Sequence, residues 1–342
     1  MNPTLTIAVD AMSGDAGAPV IVEAAEIVLN QHHDVHLILV GNEQELESCL
    51  AARPLRSGAY SIQPASEVVT MEDSAAVAMR QKKDSSMRVA INLVKEGRAG
   101  ACISAGNTGA LMAISRFVLK TLPGIDRPAI ITTIPAIGGH THMLDLGANV
   151  GCTAEHLHQF ALMGSVLVNA VDGIEQPRIG LLNIGSEELK GNEEIRDAAK
   201  LIQASNLNYI GFVEGNEIYT DRADVVVCDG FAGNVSLKTS EGVARIVSHY
   251  LKQEFSRTLL NRMVGLLALP ILKAFRQRID PRKYNGASLL GLQGVVIKSH
   301  GGADAVAFAN AIEIARLEIR KAVPSMIGEK ISTLLPQEKV AT

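Results

Sequence analysis

Residues 101–120 read ACISAGNTGALMAISRFVLK. An apolar run gives way to a polar loop with two glycines, SAGNTGA, and then to a segment of helical composition. Strand, glycine-rich turn and helix in that order make the repeating unit of a parallel sheet covered by helices. The order recurs along the chain. Residues 6–9 lead into DAMSGDAGAP and the helical VIVEAAEIVLNQ, and residues 143–146 into GANVG and a helix over 153–170. Residues 179–184 lead into GSEELKGNEE and a helix reaching 202, and residues 225–228 into DGFAGN and a long helix from near 235. Residues 295–298 lead into SHGGAD and a helix reaching 321. Runs at 36–40, 130–134 and 209–213 are further strands without such loops. The expected fold is α/β: a three-layer α/β/α unit with a largely parallel sheet. It spans residues 1–342 as one large unit, with division into two lobes left open.

Composition narrows the function. Lys and Arg number 32 against 36 Asp and Glu, a net charge of −4, whereas nucleic-acid binders carry a basic excess. Aromatic residues are 4% with no Trp, so stacking platforms for bases are scarce and no nucleic-acid partner is expected. Cys49, Cys102, Cys152 and Cys228 form no C-x-x-C pair, which argues against a disulfide framework or a zinc ribbon. The N-terminus lacks the basic and apolar regions of a signal peptide, and no apolar run reaches the roughly 20 residues of a spanning helix. The expected location is cytoplasmic.

In open α/β sheets, ligands bind beyond the carboxyl ends of strands. Glycines there let the backbone approach a ligand, and helix N-termini offer free N–H groups with a positive dipole. Converging loops of this kind would make an anion pocket. They carry Asp10, Asp15, Ser104, Asn107, Thr108, Asn149, Lys190, Asn192, Asp229, Asn234 and Lys238. No loop matches G-x-x-x-x-G-K-[ST] or G-x-G-x-x-G, so a nucleoside triphosphatase or standard dinucleotide site is disfavoured. There is no G-x-S-x-G nucleophile elbow either.

Cys152 falls near a predicted helix start, where the dipole would lower a thiol pKa, while Cys102 and Cys228 read as small core residues. No signature positions a histidine beside any of them. His140 and His142, with Asp145 nearby in GGHTHMLD, suggest metal only weakly, and a solvated loop is the expectation, with no metal and no cofactor.

One stretch breaks the rhythm. Residues 255–279, FSRTLLNRMVGLLALPILKAFRQRI, hold Arg257, Arg262, Lys273, Arg276 and Arg278 and no acidic residue. Pro270 is expected to split the stretch into two helices, giving a protruding amphipathic hairpin over 250–283. Leu266, Leu267, Leu269, Ile271, Leu272 and Phe275 supply its apolar surface. Such a hairpin suits an anionic membrane surface or an acidic partner, and equally a dimer interface or a core helix pair.

The motifs VDAMSGD, ISAGNTGALM, LDLGANV, GLLNIGSEELKGN, VVVCDGFAGNVSLKTSEG and SHGGAD run in order from residue 8 to 304. In that order they resemble the bacterial phosphate acyltransferases of phospholipid synthesis, the PlsX family. Ser13, Ala18 and Gly151 depart from the family's usual residues, touching loop flexibility and local charge.

The resemblance implies formation of acyl phosphate from fatty acyl-[acyl carrier protein] and inorganic phosphate. It also implies a homodimer without metal or nucleotide, and a fold similar to isocitrate and isopropylmalate dehydrogenases and to phosphotransacetylase. Family members are membrane-associated, where a glycerol-3-phosphate acyltransferase uses the product. Peripheral membrane association is therefore expected.

Phosphate is already a nucleophile, so the enzyme must supply a cradle, alignment and donors for a developing oxyanion. Lys190, Asn192 and Lys238 are assigned to anion binding or oxyanion stabilisation. Asn107, Thr108, Asn149 and Asn234 are assigned as positioning donors, with Ser104 among the phosphate-binding candidates. Asp10 and Asp229 would orient the cationic and loop groups, and His300 would protonate the leaving thiolate. The catalytic set is Lys190, Asp229 and His300. Competing readings are a phosphotransacetylase acting on short acyl-CoA and a non-catalytic membrane-surface scaffold. A dehydrogenase rests on fold analogy alone.

Overall fold

A computed structural model describes residues 4–278 and 280–334. Its strands are β1 (Leu5–Asp10), β2 (Val35–Gly41), β3 (Tyr60–Pro64), β4 (Ala101–Ser104), β5 (Ala129–Ala136) and β6 (Gly139–Leu144). Then follow β7 (Ile179–Leu182), β8 (Tyr209–Val213), β9 (Val225–Val227), β10 (Ala287–Leu290) and β11 (Val295–Lys298). They form one sheet in the order β3-β2-β1-β4-β11-β10-β5-β6-β9-β7-β8.

The helices α1 (Ala18–Gln31), α2 (Glu43–Ala52), α3 (Ala75–Arg80), α4 (Ser86–Lys95), α5 (Thr108–Leu119) and α6 (Ala154–Asp172) precede α7 (Glu193–Gln203). The long α8 (Gly230–Ser256) and α9 (Leu259–Arg278) come next, then α10 (Ala305–Arg320) and α11 (Val323–Leu334).

Alternation along the strands builds three layers. In β9, Val226 faces one side and belongs to the apolar cluster that also holds Ile91 of α4 and Leu111 of α5. Val225 and Val227 face the other, with Phe160 of α6 and Ile202 of α7. In β1, Ile7 and Val9 pack beneath α1 and α10 on that second side. Side chains two apart share a face, so apolar runs with both faces covered fit this burial.

Two strands lie outside the expected set. β3 is a short edge strand closed by Pro64, and β10 is four residues long. β10 matters most, because it lies antiparallel to both β11 and β5, and β6 is antiparallel to β5 in turn. The run β3-β2-β1-β4-β11 is parallel, and so is the run β6-β9-β7-β8. The second run points opposite to the first. The six glycine-rich segments therefore divide between two margins of the sheet.

His140 and His142 lie in β6, paired with Pro135 and Thr133 of β5, so the expected solvated loop is instead a strand. Their acidic neighbour is Asp172, not Asp145.

The DGFAGN segment is not a loop before a helix starting near 235. Asp229 caps α8 by accepting the Phe231 N–H at 2.8 Å, so the helix begins at Gly230. Glycine is required here: a Cβ at Gly233 would fall 1.9 Å from the Asp145 carbonyl oxygen.

Pro270 does not split the basic stretch; it sits inside α9. The break falls at residues 257–258, where Thr258 Oγ1 accepts the Asn261 N–H at 3.0 Å. A side-chain acceptor before the first turn starts a helix there, whereas the exposed proline costs one internal hydrogen bond. α8 and α9 form the hairpin, with Gly265 close against Phe255. Ile279 lies outside the described residues, as does the side chain of Arg276. No helix among the described residues is long and apolar enough to cross a membrane.

Candidate active site

The carboxyl ends of β1, β4 and β11 adjoin, and their turns interlock. Ser104 Oγ donates to Asp10 Oδ2 at 2.6 Å and accepts the Gly106 N–H at 3.1 Å. Ser13 Oγ donates to the Asp10 carbonyl and accepts the Ala105 N–H, each at 2.9 Å. Asp15 N–H reaches the Gly301 carbonyl at 2.9 Å. Burial pushes the Asp10 carboxyl up, while Ser104, Ser86, Ser13 and the Met12 N–H pull it back. Asp10 and Ser104 are both buried, so they hold the turns together from beneath.

At the centre stands a residue outside the expected site. Lys298 closes β11 in register with Ser104, and its ammonium donates to the carbonyls of Ala105 (3.3 Å) and Ser299. Burial pulls its pKa down to about 8; Asp10 opposes this, Lys238 reinforces it and Asp15 opposes it. The available signal is a lysine ending the apolar strand VVIK directly before SHGGAD.

Lys238 comes from the other half of the sheet. α8 starts at the carboxyl end of β9 and carries Lys238 close enough to repel Lys298. Lys238 is exposed and binds Glu241 at 3.1 Å. Asn234, one turn earlier on the same face, is exposed near Gly147. His300 is exposed in the turn after β11; its Nδ1 accepts the Gly302 N–H at 3.0 Å, which leaves the ring proton on Nε2.

Several candidates cap helices or tie turns together. Asn107 caps α5 through the Ala110 N–H (3.0 Å), and its amide donates to the Met71 and Asp73 carbonyls. Thr108 beside it is exposed in the first turn. Asn149 is buried, with its amide donating to the Pro128 carbonyl (2.8 Å) and to Asp145 Oδ2 (3.0 Å). The Asp229 oxygens take the Phe231 and Cys152 N–H groups, tying the turn after β6 to α8. Asn192 caps α7 through the Ile195 N–H at 3.0 Å.

Lys190 is exposed on the turn after β7, whose shape Asn183 fixes by donating to the Lys190 carbonyl at 3.2 Å. No hydrogen bond or ion pair joins Lys190 to the Lys298 group among the described residues.

The cysteines are poor nucleophiles. Burial first, then Asp229, pushes the Cys152 thiol up to about 12, so the dipole does not prevail. Burial also pushes the Cys102 and Cys228 thiols up, consistent with small core residues. What remains is a cationic floor at Lys298, a second ammonium from α8 and a histidine with an outward N–H. That arrangement suits an anion that is itself the nucleophile.

A family model described as "Fatty acid synthesis protein" matches residues 5–326. The "Phosphate acyltransferase" of Alkalilimnicola ehrlichii is 59% identical over 336 residues, covering 98% of each chain. That of Methylococcus capsulatus is 58% identical, covering 98% of this chain and 99% of its own. The chain belongs to the PlsX family of phosphate acyltransferases.

As a PlsX-family chain it is an acyltransferase of fatty acid synthesis. Its fold is similar to a phosphotransacetylase from Streptococcus pyogenes, with a TM-score of 0.63 at 16% identity over 93% of this chain and 94% of that one. A branched-chain phosphotransacylase from Enterococcus faecalis superposes with a TM-score of 0.56 at 13% identity, over 92% of this chain and 99% of that one. The α/β fold expected for the PlsX family is therefore the one observed.

Proposed function

We propose that the chain transfers a fatty acyl group from acyl carrier protein to inorganic phosphate. The observation that carries the reading is the interlocking of the glycine-rich turns after β1, β4 and β11 around the largely buried Lys298 ammonium, on which the Lys238 charge also acts. Two ammonium groups held near each other favour a dianion between them, and a largely buried one acts at lower effective dielectric. A phosphate oxygen attacks the thioester carbon; the C–O bond forms and the C–S bond breaks. The proton carried by phosphate ends on the leaving thiolate, giving acyl phosphate and free thiol, and His300 is assigned to hydrogen-bond the leaving sulfur through its Nε2–H. Asn234 and Thr108 are assigned as exposed donors at the rim, and Lys190 as a cation on the turn after β7 that guides anionic substrate. Asp10, Ser104, Asn107, Asn149, Asn192 and Asp229 position the turns and caps.

The hairpin supports a second part of the reading. Leu266, Leu267, Ile271 and Phe275 of α9 are exposed, and α9 itself carries no acidic residue. We assign this surface to reversible contact with an anionic membrane, where a glycerol-3-phosphate acyltransferase would consume the acyl phosphate. Pairing of the chain as a homodimer belongs to the same reading.

The test is direct. Purified protein is incubated with phosphate and either palmitoyl carrier protein or acyl-CoA, and acyl phosphate is trapped with hydroxylamine. Phosphate-dependent hydroxamate from the carrier substrate is expected. Turnover confined to short acyl-CoA would make the chain a phosphotransacetylase, and no hydroxamate from any donor would favour a scaffold.

A further inference from the structure

We propose that His140, His142 and Asp172 form a binding site for a divalent transition-metal ion, separate from the acyl-transfer centre. His140 and His142 are two apart in β6, and side chains two apart on a strand project to the same face. Their rings meet edge-on with centroids 5.0 Å apart. Both Nε2 atoms converge on one oxygen: Asp172 Oδ2 lies 3.0 Å from that of His140 and 2.8 Å from that of His142. The three donor atoms all lie within 4.8 Å of one another. In a tetrahedral zinc site, bonds of about 2.0–2.1 Å put neighbouring donors about 3.3 Å apart, so small side-chain adjustments suffice.

The surroundings favour a cation for three further reasons. Asp172 is the last residue of α6, a 19-residue helix whose carboxyl end carries the negative pole of its dipole. His142 is held from behind, with Nδ1 3.4 Å from Thr133 Oγ1, the kind of outer contact that orients a metal-binding imidazole. The three residues also line a cleft of about 240 Å³, which leaves room for a water or a further ligand. His142 is buried while His140 is half-exposed, which gives an ion a path from solvent.

Two imidazoles and one carboxylate match zinc better than magnesium, which prefers oxygen donors and keeps its waters. A bound ion would fasten the β5–β6 hairpin to the end of α6. Asp224, whose charge also acts on His140, is already engaged by Arg178 at 2.8 Å, so it adds negative field without serving as a ligand, while Glu318 and Lys283 line the same cleft.

The experiment uses the full chain stripped of metal with a chelator. Zinc is titrated against a chromophoric chelator at neutral pH, with magnesium as control. One zinc per chain with a micromolar or tighter dissociation constant is expected. Loss of an outer contact alone weakens metal sites about 10–100-fold, so His140→Ala and Asp172→Asn should each weaken zinc at least about 100-fold. Because His140 is half-exposed, His140→Ala tests the site without opening the core. Zinc should also raise the melting temperature of the parent chain and not of either variant, since a ligand stabilises only the state that binds it. Folded variants that bind zinc as tightly as the parent would overturn the proposal, as would a parent chain that binds no zinc. Neither result bears on acyl transfer, which is scored separately by hydroxamate formation.

Discussion

Burial loosens the proton on Lys298 and the Lys238 charge adds to it, although the two residues belong to halves of the sheet that run in opposite directions. The link is α8, which leaves the carboxyl end of β9 and carries the Lys238 charge within range of Lys298. This geometry gives the pH dependence a sign. Lys298 is cationic below its pKa of about 8, so phosphate binding should weaken as pH rises through that value. Removing the Lys238 charge raises the Lys298 pKa, and the falling limb should move to higher pH in Lys238→Gln. The measurement is kcat/KM for phosphate against pH. An unmoved limb would remove the Lys298 ammonium from the anion site. Lys298→Met should lower turnover on the order of 10²–10³-fold, the usual cost of deleting one preorganised charge donor.

Direct attack by phosphate predicts that no acyl-enzyme forms. The Cys152 thiol is pushed to about 12, so its thiolate is scarce at neutral pH. Cys152→Ala should keep turnover within severalfold of the parent, and mass spectrometry of the enzyme with acyl donor alone should find no acyl-cysteine. A trapped thioester, lost together with activity in the variant, would replace this mechanism with a two-step one.

Glu318, buried in α10, accepts a hydrogen bond from Ser288 of β10, and burial raises its pKa to about 7. Its folded pKa lies above the ordinary 4.5, so the folded chain binds the extra proton between those values. The neutral carboxyl is therefore tolerated at low pH, and stability is lost as pH rises from about 4.5 to about 7. The loss is on the order of 3 kcal/mol, since each pH unit between the two values is worth about 1.36 kcal/mol. Urea unfolding at pH 5 and pH 8 should differ less in Glu318→Gln than in the parent, and equal differences would mean that Glu318 stays ionised.

Much of the scaffold was legible because apolar runs and glycine-rich turns are local. VVIK at 295–298 becomes β11 with the same bounds, and YIGFV becomes β8. The reversal at β10 was not legible, since four residues, ASLL, carry no sign of strand direction. That hidden reversal is why the six glycine-rich segments divide between two margins. Residue chemistry is ambiguous for a related reason: Asn107, Asn192 and Asp229 suit an anion pocket and suit helix caps equally well, and each caps a helix in the structure. Lys298 escapes a motif search because a strand residue has no glycine beside it to mark a ligand. Only the pairing of β11 with β4 and the approach of α8 expose its setting.

The hairpin prediction rests on exposure. Leu267 is 83% exposed and Leu266 67%, with Ile271 at 74%, so α9 presents apolar surface that the described chain does not cover. Arg262, Lys273 and Arg278 are on the same helix, and the turn before it adds Arg257. Each cation near an anionic leaflet contributes at most about 1 kcal/mol, which falls with salt. Burying leucines adds an area term of about 25 cal/mol per Å², which salt does not screen. Attachment should therefore weaken at high salt without vanishing. Leu267→Glu should abolish flotation with anionic liposomes while leaving turnover in detergent-free solution within severalfold of the parent. Because Leu267 is exposed, the substitution spares the core. A variant that still floats would assign the leucines elsewhere, and one that loses turnover and its dimeric mass together would make α9 an interface between two copies of the chain.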